Sequence, residues 1–115
     1  MAYTTIDDPT AHFQVELWSG TGSSNARTFD SDTDMQPDMV WIKCRSDTEY
    51  HRVYDAVRGV HKELYTNTTG AEATNTNSLT SWNADGFVLG TDTNVNANAG
   101  TYVAWNWKAG TTSGL

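Results

Sequence analysis

Alternating apolar and polar positions predict that this chain is built from short β-strands. Residues 13–18 read Phe-Gln-Val-Glu-Leu-Trp, and their period of two predicts a half-buried strand with Phe13, Val15 and Leu17 facing inward. Residues 39–44 read Met-Val-Trp-Ile-Lys-Cys and carry apolar side chains on both faces. Because a strand covered on both faces lies inside a sheet, we expect this segment to be a central strand.

The C-terminal third of the chain contains a second strongly alternating segment, at residues 101–108. Its period places Val103, Trp105 and Trp107 on one face, and we expect large apolar side chains on a shared face to pack in the core. We interpret three further segments as weaker strands: residues 27–29, 51–60 and 61–65. In residues 51–60 a short amphipathic helix is the alternative, but the β-branched and aromatic residues and Gly59 favour an extended stretch and a turn.

Turn residues separate these strands at short intervals. Leu79–Trp82 and Phe87–Leu89 flank a four-residue turn whose last residue, Gly86, is free to adopt a positive φ, which predicts a β-hairpin. Residues 66–77 and 91–100 are rich in Asn, Thr or Gly and are interpreted as polar surface loops. Short strands, frequent turns and no helical period predict an all-β, antiparallel β-sandwich or jelly roll.

Length and charge narrow the class of protein. The 115 residues suit one domain, which we place at residues 1–110, with 1–12 as an N-terminal arm and 111–115 as a tail or the start of a linker. The net charge of −7 disfavours contact with nucleic acid or an anionic membrane surface. No segment approaches the roughly 20 apolar residues of a membrane span, so we expect a soluble chain without membrane insertion. Cys44 is the single cysteine and has no disulfide partner within the chain.

Several segments, taken in order, have the sequences and spacing of a known family. They are residues 20–22, 36–43, 54–59, 79–87 and 102–110. Together they resemble an uncharacterised domain of marine bacteriophage virion and tail-fibre-like proteins, whose members are similar to concanavalin A-like, laminin G-like jelly rolls. The resemblance implies a jelly-roll fold, a virion context and a role in adhesion, and it supplies no catalytic residues.

Tryptophans beside polar turns are the candidates for ligand contact. An exposed indole stacks on the apolar face of a sugar, while amide side chains bind its hydroxyl groups. Trp18 and Trp82 adjoin polar turns, so we expect them to be exposed, although packing in the core is the alternative for each. The amides that would assist them lie in the two polar loops: Asn67, Asn75, Asn94 and Asn96.

The acidic segment Asp30–Asp34 is a weak candidate for a metal site. Asp30, Asp32 and Asp34 alternate as in the opening of a calcium loop, but the glycine and the distal glutamate of such a loop are missing. A solvated acidic loop is therefore the favoured interpretation. We expect no cofactor, and calcium held by another loop geometry remains an alternative.

Motifs for catalysis are absent from the sequence. The chain has no nucleophile elbow, no phosphate-binding loop and no paired histidines at metal-ligand spacing, so we expect that it is not an enzyme. A small polysaccharide hydrolase is the remote alternative, because glycosidases need only two facing carboxylates. The glutamates that could supply such a pair are Glu16, Glu49, Glu63 and Glu72.

These observations define three hypotheses for function. The first is a bacteriophage virion-surface or tail-fibre structural domain that adheres to host surface glycan or contacts other virion subunits, most simply as a homo-oligomer. The second is a capsid-decoration or fibre-assembly module with no host ligand, in which edge strands pair between copies. The third is the hydrolase. For the first two we expect assembly in the bacterial cytoplasm and a final location on the virion surface.

Overall fold

The computed structural model of this protein describes residues 8–109, and within them it contains nine β-strands, one short α-helix and a 3₁₀ turn at Pro9–Ala11. In chain order the elements are β1 (Phe13–Ser19), β2 (Asn25–Thr28), β3 (Met39–Cys44), β4 (Arg52–Asp55), β5 (Lys62–Glu63), β6 (Ala73–Thr74), β7 (Leu79–Asn83), β8 (Gly86–Leu89), α1 (Thr93–Asn96) and β9 (Thr101–Trp107).

The strands form antiparallel sheets. A four-stranded sheet has the order β1-β9-β3-β4, a three-stranded sheet has the order β2-β8-β7, and β5 pairs with β6. The predicted all-β class and its β-sandwich character are confirmed. Between residues 8 and 109, no helix has the length and apolar character needed to cross a membrane.

One hydrophobic core joins the two larger sheets. Val40 and Ile42 from β3 are fully buried and belong to the same cluster as Phe87 and Leu89 from β8. Trp18 connects the sheets directly, because its ring meets the Phe87 ring edge-on with centroids 5.8 Å apart. The four-stranded sheet therefore has one face against the core and one face outside it.

The strongest sequence signals are confirmed as elements. β3 spans the predicted residues 39–44 and lies inside its sheet, as expected of a central strand. The β7–β8 hairpin forms where predicted, and Gly86 has φ +141°. A Cβ atom at Gly86 would lie 1.9 Å from the carbonyl oxygen of Arg27, so close approach to β2 also requires glycine here.

The predicted orientation of β1 and β9 is wrong. Phe13, Val15 and Leu17 were expected inside but are 39%, 50% and 56% exposed. Their neighbours on the opposite face are buried: Gln14, Glu16 and Trp18. In β9 the buried residues are likewise Tyr102, Ala104 and Asn106, while the expected core residues Val103, Trp105 and Trp107 are only partly buried.

Strand pairing explains this reversal. Cross-strand partners share a face of the sheet, and β9 pairs with β3 so that Ala104 lies opposite Ile42 and Asn106 opposite Val40. The β3 face that packs on the second sheet thus fixes which face of β9 is inside, and β9 fixes β1 in turn through the pair Glu16–Ala104. Periodicity within a single strand carries no information about these partners.

Two loops contain more structure than predicted. The segment 91–100 includes α1, whose first turn is capped by the Asp92 side chain accepting a hydrogen bond from Asn94 N. The segment 66–77 includes the two-residue strand β6. Most of the predicted N-terminal arm, and the tail at 111–115, lie outside the described residues.

Candidate functional site

Three tryptophans form a groove on the outer face of the four-stranded sheet. Trp41 on β3 and Trp105 and Trp107 on β9 line a shallow concavity of about 440 Å³, together with His51. Trp41 and Trp105 are direct cross-strand partners, and their rings meet edge-on with centroids 5.8 Å apart. We call these four residues the indole groove.

His51 fixes one wall of the indole groove. Trp41 Nε1 donates a hydrogen bond of 3.0 Å to His51 Nδ1, and the two ring centroids are 5.7 Å apart. Because Nδ1 accepts this bond, the neutral imidazole carries its proton on Nε2. The groove therefore combines indole faces with one hydrogen-bond donor, Nε2 of His51.

The indole groove continues into a wider apolar surface. Phe13 on β1 lies opposite Trp107 with ring centroids 5.3 Å apart, and Val15 lies opposite Trp105. Leu17 and Val103 form the next cross-strand pair along the same face. Contiguous exposed apolar surface of this kind marks contact sites in proteins that are otherwise polar outside.

The predicted exposure of Trp18 is wrong. Its side chain is 5% exposed, stacks on Tyr102 with ring centroids 5.5 Å apart, and donates from Nε1 to Val95 O at 3.3 Å. The cause is the reversed orientation of β1, which places Trp18 on the inner face opposite Tyr102. Because the ring is buried and stacked on Tyr102, this indole offers no surface on which a sugar could stack.

Asn96 is also buried rather than displayed in a loop. Its Oδ1 accepts hydrogen bonds of 3.0 Å from Thr21 N and from Asn25 Nδ2, and its Nδ2 donates to Ser23 O and Gly90 O at 2.6 and 2.8 Å. The side chain is fully buried. Its polar atoms are therefore used to join segments of the protein and are not displayed to solvent.

The remaining candidates lie nearer the surface. Trp82 is partly buried and packs against the core, and exposed Asn67 accepts a hydrogen bond of 3.2 Å from His51 N. Asn75 and Asn94 come together, because both donate to the carboxylate of Asp92, at 2.5 and 2.9 Å.

The acidic side chains do not converge in the part of the chain that is described. Asp30, Asp32 and Asp34 are all exposed. Among residues 8–109, no group of three or more His, Cys, Asp or Glu side chains is placed to hold a metal ion.

The four glutamates have different surroundings. Glu63 is buried and accepts hydrogen bonds from Tyr54, Tyr65 and Ser78, while Glu16 is buried beside Arg27. Glu72 is exposed and pairs with Arg58 at 3.3 Å. Glu49 lines a second concavity of about 430 Å³ at the loop end of the sandwich, together with Asp47 and Tyr102. Because the Tyr102 ring is buried, that concavity lacks the exposed aromatic surface of the indole groove.

Sequence reasoning missed the indole groove. Trp41, Trp105 and Trp107 share one face only because β3 and β9 are neighbours in a fixed register. The signal in the sequence was that residues 39–44 are apolar on both faces, which leaves one apolar face without a place in a two-layer core.

Comparison with known proteins places this chain in a family. Residues 8–114 match the family described as a domain of unknown function, DUF7483. Because the match covers nearly the whole chain, the protein belongs to that family. Searches among curated proteins and solved structures find no match.

Proposed function

We propose that this domain is a surface module of a bacteriophage virion, of the tail-fibre type, which adheres to host surface glycan through the indole groove. The observation that carries the proposal is the convergence of three indoles and an imidazole in one open groove on the sheet. The finer fold assignment, a concanavalin A-like jelly roll, belongs to the same proposal. It is supported by two antiparallel sheets around one core.

The chemistry of the indole groove suits a sugar. Indole faces attract the C–H surface of a pyranose ring, and His51, which lines the groove, has in Nε2 a donor for a hydroxyl group. The groove volume falls within the range of small-ligand sites, although this one is shallow. A shallow aromatic groove suits one or two exposed sugar units of a longer polymer.

Substituting one groove tryptophan tests this proposal. We expect envelope polysaccharide from the host to quench tryptophan fluorescence of the wild-type domain in a saturable way. Trp105→Ala should weaken binding about 5- to 30-fold, since a stacked aromatic contact contributes about 1–2 kcal/mol. Trp105→Phe should retain part of the binding affinity, because phenylalanine keeps an aromatic ring at this position.

Trp82→Ala is the matched control, because Trp82 lies on the other sheet and was the candidate favoured by the sequence. It should bind like the wild type. Loss of binding in Trp82→Ala with retention in Trp105→Ala would reject the groove as the glycan site. Absence of the protein from purified virions, measured by mass spectrometry, would reject the virion context.

A second candidate function, an assembly module of a capsid or fibre without a host ligand, is favoured by a different observation. The outer face exposes Phe13, Val15 and Leu17 beyond the groove, along the edge strand β1. This row has no polar group to orient a sugar, and it suits a protein surface. In that case the partner is another virion subunit.

A further inference from the structure

The edge strand β1 presents backbone hydrogen-bonding groups to the outside. Lys108 N donates to His12 O and Gly20 N donates to Gly100 O, at the two ends of the β1–β9 ladder. Even-numbered residues of β1 are therefore those whose N–H and C=O groups face β9. The backbone groups of Phe13, Val15 and Leu17 point away from the sheet.

Within the described residues, the two edges of this sheet differ in whether their outer backbone groups are hydrogen-bonded. At the β4 edge, Val53 N donates a hydrogen bond to Leu64 O at 2.9 Å, and Leu64 N donates to Val53 O at 3.0 Å. At the β1 edge, among residues 8–109, β1 pairs only with β9.

The sequence of β1 lacks most of the features that protect an edge strand. Natural edge strands avoid pairing by being short, by carrying proline, lysine or a bulge, or by an inward-pointing charge. In β1 the inward charge is Glu16, which is paired with Arg27. β1 has seven residues, Phe-Gln-Val-Glu-Leu-Trp-Ser, with no proline and no lysine, and its pairing with β9 is continuous. Its outward side chains are apolar. These properties favour pairing with another strand.

We propose that β1 of a second copy of this chain adds antiparallel to β1 around a two-fold axis at Val15, joining two four-stranded sheets into one sheet of eight strands. This goes beyond the glycan contact, uses the edge of β1 and not the indoles of the groove, and gives the assembly function a partner. In this register Val15 lies opposite Val15 of the second copy, and Phe13 lies opposite Leu17.

The inner face of β1 favours this register over one with its axis at Glu16. An axis at Val15 places Gln14 opposite Glu16 of the second copy, so an amide faces a carboxylate. An axis at Glu16 also pairs the free backbone groups but places two carboxylates directly opposite each other, and like charges in that position are destabilising. Gln14 and Glu16 are both buried, which strengthens the preference.

The size of the interface predicts weak association. Three hydrogen-bonded residue pairs supply about six backbone hydrogen bonds, and the side-chain contact is limited to one apolar row. We expect such an interface to bury less than the roughly 800 Å² per partner of stable complexes, with Kd on the order of 10–100 μM. Repetition along a virion surface would strengthen it through multivalency.

Disulfide trapping tests the register. Val15→Cys should form a covalent dimer under mild oxidation, because paired antiparallel residues have Cα atoms about 5.5 Å apart, within disulfide range. Phe13→Cys and Leu17→Cys should each form little dimer alone and cross-link efficiently when mixed. Val57→Cys is the control, because Val57 is 97% exposed and lies in a turn away from β1. Equal trapping of Val57→Cys, or no trapping of Val15→Cys, would overturn the proposal.

Sedimentation equilibrium tests the pairing without a cysteine. Leu17→Lys should reduce dimerisation at least tenfold, and Ala26→Lys, at an exposed position of β2 on the other sheet, should not. A wild-type chain that stays monomeric at millimolar concentration would overturn the proposal. Leu17→Lys should keep the glycan affinity of the wild type and Trp105→Ala should keep its dimerisation, so failure of one proposal is distinguishable from failure of the other.

Discussion

A single buried amide joins three segments of this protein. Asn96 bonds to Thr21, Ser23 and Asn25 on one side and to Gly90 on the other, and it uses both its donor and its acceptor atoms. Buried polar groups that are fully satisfied make a fold specific, whereas unsatisfied ones destabilise it. Asn96 therefore has a structural role where the sequence suggested a ligand contact.

Removing the Asn96 amide should be costly. Asn96→Ala leaves four polar groups without their partner, and we expect a loss of about 3 kcal/mol in the free energy of unfolding. Asn98→Ala, at an exposed position two residues away, should change it by less than about 0.5 kcal/mol. Urea denaturation followed by tryptophan fluorescence measures both. Similar small effects in the two variants would contradict the structural role.

Glu16 is a buried carboxylate with one charged partner. Arg27 Nη2 lies 2.6 Å from its Oε1, and Arg27 Nε donates to the same oxygen at 3.1 Å. Burial raises the pKa of the Glu16 carboxyl, and the hydrogen bonds and charge of Arg27 only partly offset this rise. The protonated form of Glu16 is therefore favoured more in the folded protein than in the unfolded chain.

This shift predicts a pH dependence with a definite sign. Because the folded pKa is raised, the stabilisation from Glu16 is complete below its ordinary pKa of 4.5 and is lost as pH rises through the folded pKa. Stability of Glu16→Gln relative to the wild type should thus increase as pH rises above this value. Arg27→Ala should steepen the wild-type dependence, because it removes the group that offsets burial. Parallel stability profiles of wild type and Glu16→Gln, from urea denaturation at a series of pH values, would contradict the assignment.

At the scale of elements, the sequence predicts that β1 is a strand but does not predict which face of it is buried. The period of two correctly predicts a strand, since that signal is local. The inward face depends on the pairing of β1 with β9 and of β9 with β3, which is non-local. Polar residues on the inner face found partners there: Gln14 Nε2 donates to Thr10 O and Thr33 O, and Glu16 pairs with Arg27.

Truncating one residue on each face of β1 tests its orientation. Trp18→Ala should lower the free energy of unfolding by about 3–5 kcal/mol, because a large buried ring is lost. Leu17→Ala, on the exposed face of the same strand, should cost less than about 1 kcal/mol. Thermal and urea unfolding of the two variants gives the comparison. A larger cost for Leu17→Ala would restore the orientation that the hydrophobic pattern predicted.

The sequence pattern does not predict the short elements that lie within loops. α1 has four residues, and the Asp92 cap that begins it is followed by Thr and Asn, which favour turns as much as helices. It forms because Val95 and Asn96 are buried against the sheets. Tertiary packing, rather than propensity, decides such elements.

At the scale of the whole molecule, the candidate site arises from strand order. Trp41 and Trp105 are 64 positions apart in the chain, yet they are direct partners in the sheet. The chain has five tryptophans, and local context favoured the two that lie beside turns, Trp18 and Trp82. Only the order β1-β9-β3 brings the indoles of the groove together beside the apolar row of β1. The site is therefore a property of topology.

The charge of the whole molecule opposes its self-association. Each copy carries a net charge of −7, and part of this charge lies beside β1, because Gln14 Nε2 contacts Thr33 O within the acidic segment Asp30–Asp34. Pairing two β1 strands brings two such segments closer. Repulsion of this kind limits uncontrolled edge pairing until ions screen it or a virion holds the copies together.

Salt should therefore strengthen the dimer. We expect its Kd to fall several-fold between about 0.05 and 0.5 M NaCl, because the screening length shortens from about 14 to about 4 Å. The triple variant Asp30→Asn, Asp32→Asn, Asp34→Asn should dimerise more tightly at low salt and respond less to added salt. Sedimentation equilibrium in CaCl₂ at matched ionic strength separates screening from calcium binding: a much larger effect of calcium, lost in the triple variant, would assign a calcium site to these carboxylates. A Kd that rises with NaCl would mean that attraction between charges holds the copies together, and would contradict a dimer built from backbone hydrogen bonds and the apolar row of β1.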